Sequence, residues 1–229
     1  MTTNAIVVRV ATPDDTSYAV TITEEMASSA QARGTGIAKR SPDYIALKMR
    51  EGKAVIALTT DGTWVGFCYI EAWDHDQYVA NSGLIVSPAF RKTGVAKSIK
   101  KAIFDLSRKK YPQAKIFGLT TGLAVMKINS ELGYEPVTYS ELTQDDNFWK
   151  GCQSCVNYAI LQSKERKNCL CTGMLFDPAQ QQVAPATNAP AGGGRKRKFR
   201  NNLKLFDRWL RFKQHILLKA NRKKEKTNT

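Results

Sequence analysis

The sequence predicts an α+β (mixed α/β) fold with a basic helix attached after it. Three observations predict it: short apolar strand-like runs bounded by turn residues, stretches of helical character between them, and an abrupt change of composition after residue 178. Ile6 to Val10 reads as a first strand. Asp14 to Gln31 has helical character, and Pro42 to Arg50 is a shorter helix behind Ser41 as its N-cap. Ala54 to Leu58 and Thr63 to Ala72 form two strands around the Asp61-Gly62 hairpin signal. Tyr78 to Val86 is a strand ended by Ser87-Pro88, and Val95 to Lys109 is a helix. Lys115 to Thr120 is a strand, and Ala124 to Leu132 is a short helix stopped by Gly133. Tyr134 to Val137 and Leu170 to Phe176 complete the strands, with a helical segment over residues 141–165 between them.

With 229 residues, 42% apolar and 24% charged, the chain can bury one core of ordinary size. No apolar run approaches the roughly 18–20 residues that span a bilayer. The first ten residues lack the basic and then apolar regions of a secretory signal, so the expected location is the cytoplasm. Five cysteines at close spacings fit that location better than a secreted disulfide framework.

A net charge of +15 invites a nucleic-acid reading, but its distribution weakens it. Residues 195–229 carry 14 Lys or Arg against Asp207 and Glu225, a net +12. The globular part is nearly balanced. Ala179 to Gly194, with three glutamines, scattered Ala and Pro, and three glycines, reads as a linker. The expected domains are therefore 1–178, a linker 179–194 and a tail 195–229. In the tail, Leu203, Phe206, Leu210 and Leu217 fall near one side of a helix, with basic residues over much of the remainder. Such a helix suits an anionic membrane surface, an acidic partner or nucleic acid, or it packs its apolar stripe on the domain.

The most informative stretch runs from Leu84-Ile85-Val86 through Ser87-Pro88 to Arg91-Lys92-Thr93-Gly94-Val95-Ala96. An apolar strand enters a short loop, and a helix opens at small residues. Unpaired N–H groups and the dipole of a helix N-terminus favour a phosphate. Gly94 and Ala96 permit close approach to the main chain, and Arg91 and Lys92 add cationic donors. An ordinary strand–loop–helix junction has the same local features.

The order of elements around this loop resembles the GNAT acetyltransferase family, whose signature is Arg or Gln, two residues, Gly, any residue, then Gly or Ala. The match covers about residues 6 to 178, including Val86-Ser87-Pro88 before the loop and Leu132-Gly133-Tyr134 after the short helix. The resemblance implies a central, mostly antiparallel sheet flanked by helices. It implies that acyl-CoA is co-substrate: Leu84, Ile85 and Val86 would face its pantetheine arm, and the N–H groups of Arg91 to Ala96 its pyrophosphate. The thioester would enter a splayed gap between strands 79–86 and 115–120, where an amine attacks it directly.

Two departures from the family stand out. The glutamate often found early on the strand before the loop is absent from Ala80-Asn81-Ser82, and Asn129 stands where a tyrosine often protonates the thiolate. Substitute bases are Glu71, Asp74 and His75, although Asp74-His75-Asp76 reads equally as a solvated hairpin tip. Tyr134 and Tyr158 are candidate acids, or core aromatics. The loop Arg33 to Arg40 lies in a region that commonly covers the acceptor in this family. Arg33, Lys39 and Arg40 suit an acceptor carrying carboxylates, or are solvated charges. A closer similarity, to bacterial members associated with arginine biosynthesis, implies N-acylation of glutamate with acetyl- or succinyl-CoA. Acylation of a protein or peptide amine and a non-catalytic acyl-CoA sensor remain the alternatives.

Cys152-x-x-Cys155 and Cys169-x-Cys171 form pairs 13 residues apart. Four thiolates so paired suit a closed structural zinc site, or are reduced cysteines sharing one corner. Cys68 reads as a small core residue.

Overall fold

The computed structural model describes residues 5–34 and 39–182. The chain divides into two units, Met1–Val183 and Ala184–Thr229. The second unit, with the expected basic helix, lies outside the described residues, as does the linker beyond residue 182.

The elements, in chain order, are β1 (Ile6–Val10), a 3-10 helix (Pro13–Tyr18), α1 (Ala19–Arg33), α2 (Pro42–Arg50), β2 (Ala54–Thr59), β3 (Trp64–Trp73) and β4 (Tyr78–Val86). There follow α3 (Val95–Lys110), β5 (Lys115–Thr120), α4 (Leu123–Glu131), β6 (Glu135–Val137), α5 (Asp146–Lys150), α6 (Tyr158–Ser163), β7 (Thr172–Phe176) and α7 (Pro178–Gln182). The sheet order is β1-β2-β3-β4-β5-β7-β6. All neighbours are antiparallel except β4 and β5. This is the mixed, mostly antiparallel sheet flanked by helices that the sequence implied.

The hydrophobic pattern explains the layers. β2 and β3 are covered on both faces, so they read as nearly continuous apolar runs rather than alternating ones. On one face Ile22 and Met26 of α1 and Ile45 and Met49 of α2 pack against Ile56, Phe67 and Tyr69. On the other, α3 buries Val95, Ile99, Ile103 and Ser107, one residue per turn. Burial of such side chains supplies roughly 1.5–3 kcal/mol each and dominates the stability. Ser41 caps α2 by accepting from the Tyr44 N–H at 3.2 Å, worth about 1 kcal/mol.

Three sequence expectations need correction. The segment expected to be one helix from Asp14 begins as a 3-10 turn, because Asp15 binds Arg9 at 2.7 Å and folds back onto the Thr12 N–H at 2.7 Å. The expected helical segment 141–165 is broken into α5, a 3-10 turn (Gly151–Ser154) and α6, with Asp145 capping the first by accepting from Asn147 N–H. Residues 178–182, mostly assigned to the linker, extend the domain as α7, opened by Pro178 at its first position.

Candidate active site

The site arises where the sheet opens. β4 and β5 pair only at Tyr78–Lys115, Val79–Ile116 and Ala80–Phe117. From Asn81 and Gly118 onward the two parallel strands no longer bond each other, while β5 keeps pairing with β7 through Thr120. β4 also bulges against β3 between Ser82 and Ile85. Gly83 makes that bulge possible. Its φ is +65°, and a Cβ there would lie 2.4 Å from the Tyr69 ring. The opening leads into a cavity of about 340 Å³. Asn81 to Leu84 line one wall, Phe117 to Gly122 the other, and Lys100, Val125 and Asn129 come from the helices behind.

At the mouth of the opening the chain passes through a 3-10 turn (Pro88–Phe90) into α3. Lys92 and Gly94 take left-handed backbone, with φ of +66° and +89°. Nothing lies within 4 Å of a Cβ built on Gly94, so the helix start is open. The first N–H groups of α3 have no intrahelical acceptor. Thr93 Oγ1 donates back to Phe90 O at 2.7 Å and fixes the turn. Leu84 lines the cavity, whereas Ile85 and Val86 are buried and paired with Phe67 and Gly66. Arg91 is used differently from expectation. Its Nη2 donates to Glu25 Oε1 and Ser29 Oγ, both at 2.7 Å, and its Nε to Val86 O at 3.1 Å, clamping the loop to α1 and β4. Lys92, exposed, is the cation beside the helix start.

One face of the opening carries a buried charge pair. In the β3–β4 ladder Glu71 stands directly opposite Ala80, so their side chains share a face. A carboxylate absent from β4 itself thus stands beside Ala80 on the neighbouring strand. Glu71 is 4% exposed, and its Oε1 accepts from Arg40 Nη2 at 3.0 Å and from Tyr44 OH at 2.5 Å. Arg40 Nε also donates to Tyr69 OH at 3.1 Å. Burial opposes the Arg40 charge, but Tyr69 and Glu71 hold its pKa above the ordinary value. Burial first, and the Glu71 charge second, push the Tyr44 and Tyr69 phenols above their ordinary values. Arg40 therefore serves Glu71 before any acceptor, with Nη1 making only a 3.4 Å contact to Lys39 O. Lys39 itself is exposed, its N–H donating to Ser154 Oγ at 3.1 Å. Arg33 ends α1, and its side chain lies outside the described residues, as do residues 35–38.

The opposite face carries a different cluster. Asn81 Oδ1 accepts from Tyr134 OH at 2.9 Å and Lys100 Nζ at 3.2 Å, and its Nδ2 donates to Ser107 Oγ at 2.8 Å. Lys100 is 2% exposed, lines the cavity and lies 5.2 Å from the Tyr134 ring centre. Burial lowers its pKa to about 8 against the opposing effect of Cys68. The sequence signal was present but passed over: a lysine beside Ile99 on the apolar stripe of α3. Asn129 lines the same cavity at 1% exposure, with Oδ1 unpaired among the described residues.

Two expected catalytic residues are displaced. His75 sits exposed at the β3–β4 hairpin tip, where Asp74, His75 and Asp76 all have positive φ, and it lines a separate depression with Asp145. Tyr134 is buried, with its hydroxyl given to Asn81, and does not line the main cavity. Its proton is held within the network. Tyr158 does line the cavity.

Cys152, Cys155, Cys169 and Cys171 all line the far end of the cavity, with Trp149 and Tyr139. The zinc expectation fails here: among the described residues no group of His, Cys, Asp or Glu is disposed to hold a metal ion. Burial, aided by Cys155 and Cys169, raises the Cys152 thiol to about 11. Cys155 Sγ accepts from Asn157 N–H at 3.4 Å, and Cys169 Sγ lies 3.8 Å from Asn157 O. Cys68 is a buried core residue, as expected.

Residues 24–125 match the profile of the acetyltransferase (GNAT) family. No curated protein matches the chain. Among solved structures, the chain resembles N-acetylglutamate synthase from Neisseria gonorrhoeae, complexed with coenzyme A and N-acetyl-glutamate, at TM-score 0.53 and 16% identity over 76% of this chain. It spans only 35% of that enzyme. A Mycobacterium tuberculosis protein solved with CoA is similar at TM-score 0.52 and 17% identity, over 75% of this chain and 98% of the other. Diaminobutyrate acetyltransferase from Paenibacillus lautus, in complex with L-2,4-diaminobutyric acid and coenzyme A, gives TM-score 0.51 and 12% identity, over 76% and 96%. At these identities the likeness establishes the fold.

Proposed function

We propose that this chain, an acyl-CoA-dependent N-acyltransferase whose residues 24–125 belong to the acetyltransferase (GNAT) family, moves an acetyl or succinyl group to the amine of a small amino acid. Glutamate is the first candidate, and arginine biosynthesis the pathway. The observation that carries the reading is the opening of the β4–β5 ladder beyond Ala80 and Phe117, with a cavity of about 340 Å³ inside it. That volume suits a small molecule.

The residues present fit coenzyme A. The open helix start at Gly94 to Ala96, with Lys92 beside it, would take the pyrophosphate. The unpaired edges of Asn81 to Leu84 and Gly118 to Thr120 would take the amide groups of the pantetheine arm. When bound, acyl-CoA supplies the activated acyl thioester. Glu71, which lines the cavity, is placed to accept the proton of the attacking amine, and Arg40 and Tyr44 keep its carboxylate oriented. Backbone N–H groups of β4 beyond the last paired residue are the donors available for the carbonyl oxygen.

The small-amino-acid reading is supported by two relatives named above, whose structures hold N-acetyl-glutamate and L-2,4-diaminobutyric acid. Arg40 Nη1, whose one contact is long, is the described cation nearest to hand for an acceptor carboxylate. Residues 195–229 are proposed to be an appendage separable from the chemistry. Thiol release from acetyl- and succinyl-CoA, screened against the twenty amino acids, tests the assignment. Glutamate-dependent turnover is expected. Coenzyme A binding without turnover on any amine would replace the enzyme by a sensor.

A further inference from the structure

The cavity holds one buried charge that the proposed chemistry has not used. Lys100 reaches it from α3, at 2% exposure. Its Nζ has a single hydrogen bond, to the neutral Asn81 Oδ1 at 3.2 Å. Among the described residues no carboxylate pairs with it, and the titratable groups facing it are Cys68 on β3 and Tyr134 beyond α4. An ammonium group buried without a counter-ion is costly and is not retained for stability alone.

Its position is specific. Asn81 is the first β4 residue past the last paired one, Ala80, so Lys100 stands behind the apex of the opening. The phosphate end lies at the start of α3, and the open edge of β4 runs from there back to that apex. The reacting end of an arm laid along that edge meets Lys100. Tyr158 also lines the cavity but comes from α6, whereas Lys100 bonds Asn81 at the apex; the other groups there are poorly suited. Asn129, on the same side, has no acidic proton. Burial raises the Tyr69 and Tyr139 phenols above their ordinary values. The lowered Lys100 pKa, about 8, makes its ammonium a far readier acid.

We propose that Lys100 is the proton donor to the departing sulfur of coenzyme A. This rests on the acyltransferase reading. As the C–N bond to the acceptor forms and the C–S bond breaks, Glu71 takes the amine proton and Lys100 gives one to sulfur. Lys100 is left as a neutral amine, which its apolar surroundings favour, and regains a proton from solvent after the thiol leaves. When free coenzyme A is bound, the reprotonated ammonium donates a hydrogen bond to the thiol sulfur.

Calorimetric titration of wild type and Lys100→Met with coenzyme A and with desulfo-coenzyme A tests this without turnover. Wild type is expected to bind coenzyme A about tenfold more tightly than the desulfo compound, as a charge-assisted contact allows. Lys100→Met is expected to lose that preference, bind desulfo-coenzyme A as wild type does, and melt no earlier than wild type. Its kcat should fall about 100-fold, with KM for acyl-CoA nearly unchanged. A full preference retained in Lys100→Met, or none in a wild type that binds both compounds, overturns the role of Lys100. A wild type that binds neither overturns the coenzyme A reading itself.

Discussion

The two faces of the sheet at the β4–β5 opening solve the problem of a buried charge in opposite ways. On the face carrying Ala80, Glu71 accepts from Arg40 and Tyr44, and Arg40 donates on to Tyr69, within one connected network. On the face carrying Asn81, Lys100 is met, among the described residues, by a neutral amide and an aromatic ring. Its donors hold the Glu71 carboxylate in one orientation, as the proposed acceptor of a proton. An unpaired buried ammonium is biased toward giving one up. One strand separates the two, since Ile70–Asn81 and Glu71–Ala80 are successive pairs of a single ladder. Alternation along the β3–β4 ladder thus puts the proposed base and the proposed acid on opposite faces.

The contrast can be broken first at Glu71. Glu71→Gln keeps the shape and removes the base, so kcat is expected to fall by about 10²–10⁴, with coenzyme A binding unchanged by calorimetry. Arg40→Ala leaves the carboxylate buried without its partner. A loss of about 3–5 kcal/mol in denaturant unfolding is expected, and it should be largely absent when Glu71→Ala is added.

Lys100 gives a pH signature of defined sign. Its folded pKa, about 8, lies below the ordinary 10.5, so the unfolded chain binds more protons between those values. The burial cost is fully present below about pH 8 and is relieved as pH rises toward 10.5. Wild type should therefore gain about 3 kcal/mol relative to Lys100→Met across that window, measured by urea unfolding at each pH. Cys68, raised to about 11 by burial, acts with the opposite sign in both proteins and largely cancels in the difference. Asn81→Asp sharpens the comparison by giving Lys100 a counter-ion. The lysine pKa, read by NMR titration, should return toward 10.5 and the signature should vanish. The smallest effect is expected at the solvated pair Lys101–Asp105 on the outer side of α3, where Lys101→Ala should change stability by less than about 0.5 kcal/mol.

Much of the framework was legible because it is written locally. Ser41-Pro42 announces α2, Asp61-Gly62 the β2–β3 hairpin, and the small residues after Arg91 the start of α3. Helical character over residues 141–165 was legible too, but its breaks come from Asp145 and Gly151 acting at particular points of the chain. The loop proposed to hold the pyrophosphate belongs to one contiguous segment, so its strand–loop–helix form was legible. The contacts of Arg91 were not legible because its partners, Glu25 and Ser29, lie more than sixty residues away.

The Glu71 side of the cavity was hidden for the same reason. Sequence alone marked Glu71 as one carboxylate among several. Strand register alone set it opposite Ala80, in the place left empty on β4. The same folding carried His75 out to a hairpin tip, tied the Tyr134 hydroxyl to Asn81 and brought Lys100 to the apex of the opening. By itself the sequence determined the succession of strands and helices, and the loop that opens α3, because propensity, capping and turn chemistry act over a few residues. Only the tertiary structure decided which charges meet across the sheet, because those contacts depend on register and packing between distant segments.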